Sequence, residues 1–139
     1  MRLIAFFLCF FSIAAVAATK HAPLPEAAYQ AKTVFIANKT GYQSTTDGAY
    51  DALTKWGRMS VVTDRAAADE VLTFTYTDEL RNGTTQWGEF SMTVQLKGVD
   101  EPIFQTSSES RGFHLASNRG AVGAQECVKE FRKRLSEDH

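Results

Sequence analysis

The stretch that decides the fold is residues 71–96, VLTFTYTDELRNGTTQWGEFSMTVQL. In its first half Leu72, Phe74 and Tyr76 alternate with Thr73, Thr75 and Thr77. In its second half Phe90, Met92, Val94 and Leu96 alternate with Ser91, Thr93, Gln95 and Lys97. A period of two with one apolar side marks a half-buried antiparallel strand. Arg81-Asn82-Gly83 between the halves is a turn signal, so the stretch reads as one hairpin. Directly opposed residues of such a pair share a face. A two-residue Asn82-Gly83 loop would set Phe74 against Ser91 and mix the faces. A three-residue loop over 81–83, with Gly83 left-handed, sets Phe74 against Phe90 and Leu72 against Met92. It also lays the Tyr76 ring over Gly88. This loop is the expected one, with a bulge at Trp87-Gly88 as the alternative.

Working backwards, residues 59–63 (MSVVT) read as a strand, followed by a short turn over 65–69. Residues 44–56 read as a helix with Ala49, Ala52, Leu53 and Trp56 on one side. Thr45 or Thr46 is the expected cap, Asp47 suits the first turn, and Gly57 the left-handed stop. The run TVFIA at 33–37 is a strand whose unbroken apolarity predicts burial on both faces. The strand–helix–strand spacing predicts that the strands at 33–37 and 59–63 are parallel. Residues 27–32 read as a helical lead-in, and TKHAPLPE at 19–26 as a linker.

Working forwards, residues 98–101 turn the chain into an edge strand over 102–110 that starts with Pro102, and 111–117 follow as a loop. Residues 118–136 form the closing helix, with Ala121, Ala124, Val128, Phe131 and Leu135 as one apolar stripe and Lys129, Arg132, Lys133 and Arg134 toward its C-terminal end. Gly120 and Gly123 weaken its first turn or let it approach the sheet closely. The order β-α-β-β-β-α predicts a two-layer α+β domain: a mostly antiparallel sheet of about five strands with two helices on one face.

The first residues read differently. Met1-Arg2 precede an apolar run over 3–16, and Ala15-Val16-Ala17 is an A-x-A site. This is the pattern of a secretory signal peptide over 1–17. The expected organisation is therefore signal peptide 1–17, linker and lead-in 18–32, and a single domain over 33–136. Cleavage near Ala17 would leave a secreted or periplasmic protein with no stable membrane insertion. Cys9 follows Leu8 inside the apolar run, which does not suit a lipid-anchor cysteine. Removal of the leader would leave Cys127 as the one thiol, so no internal disulfide is expected.

The 139 residues carry a formal net charge of -1, with 44% hydrophobic and 22% charged residues. That balance has no cationic stripe for phosphate, so nucleic acid is not an expected partner. His21, His114 and His139 are scattered, and no metal site or cofactor is expected. No G-x-S-x-G elbow or phosphate-cradling loop is present. The hairpin acids Asp78, Glu79 and Glu89 form no close pair in the expected register. Cys127 borders the apolar stripe and reads as a small buried hydrophobe, with an intermolecular disulfide as the other reading. Asn38-Lys39-Thr40 and Asn82-Gly83-Thr84 match the N-glycosylation triplet. Trp56 is expected in the core, whereas Trp87 is expected on the polar strand face, with Tyr42 and Phe113 the other aromatics of interest. The candidate binding residues are Trp87, Thr73, Thr75, Ser91, Thr93 and Gln95, with no catalytic residue among them.

Three segments carry a resemblance: VFIAN at 34–38, ALTKWGRMSVV at 52–62 and AADEVL at 67–72. In this order they resemble small bacterial envelope α+β modules, the amino-terminal domain of TolB first, with CsgG-like and outer-membrane penicillin-binding-protein-activator lipoproteins as looser relatives. The resemblance covers most of the chain after the leader and is one of pattern. It implies a non-catalytic assembly or regulatory role; taken with the export signal and the lack of convergent chemistry, the expected function is a non-enzymatic envelope module that binds an envelope protein or a surface polymer. A homodimer through the sheet edge is a further expectation. The alternative is a small secreted hydrolase or hydrolase inhibitor using residues 107–114, where Ser107, Ser108, Glu109 and Ser110 precede His114.

Overall fold

The structure, a computed structural model, describes residues 22–81, 85–110 and 118–137. In chain order these form α1 (Glu26–Gln30), β1 (Thr33–Lys39), α2 (Gln43–Trp56), β2 (Ser60–Val62), one 3₁₀ turn (Arg65–Ala67), β3 (Glu70–Arg81), β4 (Thr85–Leu96), β5 (Phe104–Ser110) and α3 (Arg119–Glu137). The five strands make one open sheet in the order β2-β1-β3-β4-β5. The architecture is the expected α+β one. β1 pairs parallel with both β2 and β3, and β4 pairs antiparallel with β3 and β5. The sheet is thus mixed, but its long ladders are antiparallel: β3–β4 aligns twelve residue pairs, β1–β2 three.

The hairpin aligns its faces as the alternation requires, by a different register from the expected one. Phe74 stands opposite Met92, Tyr76 opposite Phe90, and Arg81 opposite Thr85. Three residues, 82–84, lie between the paired ends, so the gap has the expected length but starts one residue later. Moving the gap by one slides the ladder by two, which leaves every side chain on its own face. The aromatic partner of Phe90 across the ladder is therefore Tyr76 rather than Phe74. Tyr76 and Phe90 pack with ring centroids 4.6 Å apart, a contact worth about 0.5–1.5 kcal/mol beyond burial. The Tyr76 ring still covers Gly88, now diagonally across the ladder, where a Cβ would run into its hydroxyl and ring.

The apolar residues of this face meet the helices. Leu72, Phe74, Phe90, Met92 and Val94 are fully buried, as are Leu53 of α2 and Phe131 of α3. The Phe131 ring lies 5.2 Å from Phe104 of β5 and stands edge-on to Trp56 at 6.1 Å. Trp56 is half-buried at the margin of this core. In α3 the stripe is Ala124, Cys127, Val128, Phe131 and Leu135, and Gly120 and Gly123 are buried with it. Ala121 is only half-buried, because it faces Gly48 of α2 rather than the sheet.

The glycines set the spacing of this layer. A Cβ on Gly123 would lie 2.5 Å from Cγ of Phe90, and a Cβ on Gly48 would lie 2.5 Å from the Cα of Ala121. Such distances are far inside van der Waals contact, so the helix backbones sit closer than any side chain would allow. Gly57 ends α2 in the left-handed region (φ 71°), its N–H donating to the Leu53 carbonyl. This is the stop that the sequence predicted.

The start of α2 corrects the expectation. The N-cap position is Tyr42, with no side-chain cap, and Thr45 and Thr46 lie inside the first turn. Their hydroxyls face β1 instead: Thr45 Oγ1 is 2.8 Å from Thr40 Oγ1, and Thr46 Oγ1 accepts from Asn38 Nδ2 at 3.0 Å. Asn38 also donates to the Tyr42 carbonyl (2.8 Å) and accepts from the N–H and hydroxyl of Thr40 (3.0 and 2.7 Å). One amide therefore holds the β1–α2 connection. Asn38→Ala is expected to lower stability by about 1–3 kcal/mol, because polar groups in a half-buried turn lose their partners together. A shift of the urea midpoint at unchanged slope would report it.

β1 also departs from expectation. Only Val34 is buried, and Phe35, Ile36, Ala37 and Asn38 are half-exposed. Burial on both faces would need a layer on the far side of the sheet, and none of the described helices packs there.

Candidate functional site

The far side of the sheet carries the predicted binding residues. Thr73 stands opposite Thr93, Thr75 opposite Ser91, and Gln95 opposite Val71. They share a face because each is odd-numbered on a strand whose even-numbered residues point into the core. Thr75 is exposed, and Thr73, Ser91, Thr93 and Gln95 are half-buried by one another. The ladders extend the surface sideways: Lys39 stands beside Thr75, Gln105 opposite Thr93 and Ser107 opposite Ser91. Phe35 and Val71, also neighbours in register, form its apolar end.

Not every member is equally free. The Gln95 side chain donates to the Asp100 carbonyl at 2.5 Å, pinning the turn after β4 across one corner of the face. Its amide is thereby committed to the fold. Trp87 stands opposite Glu79 in the β3–β4 ladder, and its side chain lies outside the described residues. So does the whole of 111–117, with Phe113 and His114. Ser107 and Ser108 belong to β5, paired with Ser91 and Phe90. As strand neighbours they point to opposite faces and do not converge. Glu89 faces Thr77, and Asp78 faces Gly88. Among the described residues no group of three or more His, Cys, Asp or Glu is placed to hold a metal ion. Tyr42 packs edge-on to Tyr76 at 5.2 Å and has a structural role. The Asn38 amide, with its hydrogen bonds directed inward, is poorly placed to accept a glycan.

Cys127 is buried in the α3 stripe, as its position predicted. Burial pushes its thiol up to about 12, with Glu126 and Glu130 acting in the same direction. The thiolate is the reactive form, so the folded protein is expected to leave Cys127 unlabelled by a disulfide reagent at pH 8. Denaturant should expose a label at Cys127 that Cys127→Ser removes.

Two acids at the start of β3 differ sharply. Asp69 Oδ2 accepts from the backbone N–H groups of Lys32 (2.9 Å) and Thr33 (3.0 Å), and the Thr33 hydroxyl lies beside it. The Lys32 N–H is the largest influence holding its carboxyl below the usual value, with Thr33 adding to it. Glu70, next along the chain, has no exposed surface, and neither of its carboxyl oxygens has a hydrogen-bond partner. Desolvation pushes it up to about 7, against the field of Arg58 and together with that of Asp69. Sequence reasoning missed Glu70. The available signal was its parity: Glu70 is even-numbered, like Leu72 and Phe74, and so falls on the core face.

No protein-family model matches the chain, and no curated protein matches it in sequence. Solved structures do. The PelC dodecamer from Paraburkholderia phytofirmans is similar at 14% identity and a TM-score of 0.50, over 82% of this chain and 93% of that one. A minor lipoprotein from Acinetobacter baumannii is similar at 13% identity and a TM-score of 0.45, over 77% and 92%. Rare lipoprotein B from Shewanella oneidensis is similar at 15% identity and a TM-score of 0.39, over 76% and 92%. At these identities the likeness is one of fold. Two of these three neighbours are described as lipoproteins, and none of the three is TolB or CsgG. Among the described residues no helix is long and apolar enough to cross a membrane.

Proposed function

We propose that this chain is an exported, non-enzymatic module of the bacterial envelope that works by binding, through the open side of its sheet and the adjoining β5 edge. The observation that carries this reading is the Thr/Ser-rich face of β3 and β4. It is broad and continuous with a strand, β5, whose outer edge pairs with no described strand. A free edge offers backbone donors and acceptors to a partner strand, and the hydroxyl face beside it offers side-chain contacts. The signal-peptide pattern over 1–17 supports export. The similarity of fold to PelC, whose structure is a dodecamer, supports a partner that is first of all another copy.

The test has two parts. Expressed with its leader in a bacterial host, the protein should be recovered from the periplasm with a mass reduced by the first 17 residues. Sedimentation should then show a species heavier than the monomer. Thr75→Arg with Ser107→Lys should return it to monomer without loss of secondary structure. A protein that stays cytoplasmic, or that is monomeric with and without these changes and binds no envelope component, would sink the reading.

A further inference from the structure

Glu70 needs an explanation that the open face does not supply. It sits at the end of the sheet where Val34 and Leu96 flank it in register. That end of the core is closed by residues 22–31, which contribute buried Leu24, Ala28 and Ala31. The closing segment is short. α1 has five residues and no side-chain cap. Arg58 donates through Nη2 to the Tyr29 carbonyl at 2.6 Å, and Arg134 donates to the Ala22 carbonyl. Below the segment, Asp69 fixes the backbone of Lys32 and Thr33. β1 is therefore anchored to β3 by contacts that do not involve residues 22–31.

Arg58 is the telling residue. It is the cation whose field reaches Glu70, yet its hydrogen bond goes to the backbone of α1. Its guanidinium also lies over the Trp56 ring, 5.8 Å from the centroid. An ionised carboxylate without a hydrogen bond is among the least tolerable groups in a protein interior. A neutral one is tolerable. The docked arrangement thus suits the acid form of Glu70, and the ionised form would draw Arg58 away from Tyr29. The other charges at this end are Asp69, bonded to Lys32 and Thr33, Arg134, bonded to Ala22, and Glu26, Lys32 and Lys97 at the surface.

We propose that residues 22–31 are a proton-controlled strap, docked while Glu70 is protonated and released when Glu70 ionises and takes Arg58 from the Tyr29 carbonyl. The carboxyl O–H bond breaks and its proton passes to solvent water; no other covalent bond changes. Release would also lift Leu24 from the groove that it lines with Ile103, Phe104 and Arg134, between β5 and α3. The inference is independent of the proposed binding role.

The sign follows from linkage. The docked state holds the carboxyl pKa above its ordinary value of 4.5, so docking is favoured at low pH and weakens as pH rises toward and through 7. Hydrogen exchange read by mass spectrometry on the purified protein, corrected for intrinsic rates, tests this. Protection of the 22–31 backbone should fall by on the order of tenfold between pH 5.5 and 8.5, while that of β3 and β4 holds. Glu70→Gln should keep the strap protected at both pH values. Equal protection of the wild type at both, or an unchanged pH dependence in Glu70→Gln, would overturn the proposal. Should that variant not fold, carbon-13 titration of the wild-type Glu70 carboxyl decides: a midpoint well above 4.5 is required, and one at or below it overturns the strap.

Discussion

Gly48→Ala is expected to lower stability by about 2 kcal/mol, the opposite of what helix propensity predicts. In an exposed helix interior, glycine to alanine gains about 1 kcal/mol. Gly48 is buried in α2, and an added Cβ would lie 2.5 Å from both the Cα and the carbonyl oxygen of Ala121. Those are backbone atoms of α3 and cannot rotate away. The helices must separate, and α3 cannot retreat freely, because Gly123 rests on the Phe90 ring and Phe131 on Phe104. Overpacking of this kind typically costs about 1–3 kcal/mol. Gly48→Leu should prevent folding, since total stability is about 5–15 kcal/mol for domains of this size. Thr54→Ala on the exposed side of the same helix serves as the control and should gain a few tenths of a kcal/mol at most, roughly the propensity difference. A gain in urea midpoint for Gly48→Ala would show that the two helices are not in close contact.

The same contacts show which features were legible in the chain. The alternation in 71–96 identifies the two faces of the hairpin, because parity survives any slip by two. For the same reason it cannot place the loop. Residues 81–83 and 82–84 give identical faces, and each register sets an aromatic ring opposite Phe90, Phe74 in the one and Tyr76 in the other. The stripe of α3 and the stop at Gly57 are local patterns and were readable. The cap of α2 was not, because the hydroxyls of Thr45 and Thr46 could serve their own helix or β1. Asn38 and Thr40, brought close only by the β1–α2 connection, draw them to the strand. The Thr/Ser residues of the proposed binding face followed from parity alone, whereas the commitment of Gln95 to Asp100 depends on how the chain turns after β4. Glu70 was hidden by habit: an acid beside Asp69 at a strand start reads as solvated.

That residue carries the second large effect. Its carboxyl is raised from 4.5 to about 7, so the folded state holds the proton more tightly than the unfolded chain does. Its stabilising contribution is fully present below pH 4.5. It declines as pH rises between the two values and is gone once pH has passed through about 7. Each pH unit between the folded and unfolded midpoints is worth about 1.4 kcal/mol, so the loss between pH 4 and pH 8 is on the order of 3 kcal/mol. Asp69 runs the other way, its carboxyl held low mainly by the Lys32 N–H. The wild-type profile therefore mixes opposing slopes, and the difference between two proteins is the cleaner measurement. Glu70→Gln keeps the shape of the neutral acid and cannot ionise. At pH 4 it should match the wild type within about 1 kcal/mol, and at pH 8 it should exceed it by about 3 kcal/mol. Urea unfolding of both proteins across that range reads the divergence directly. A constant difference would mean that the Glu70 carboxyl titrates in the fold as it does in the unfolded chain, and the buried acid form would be refuted.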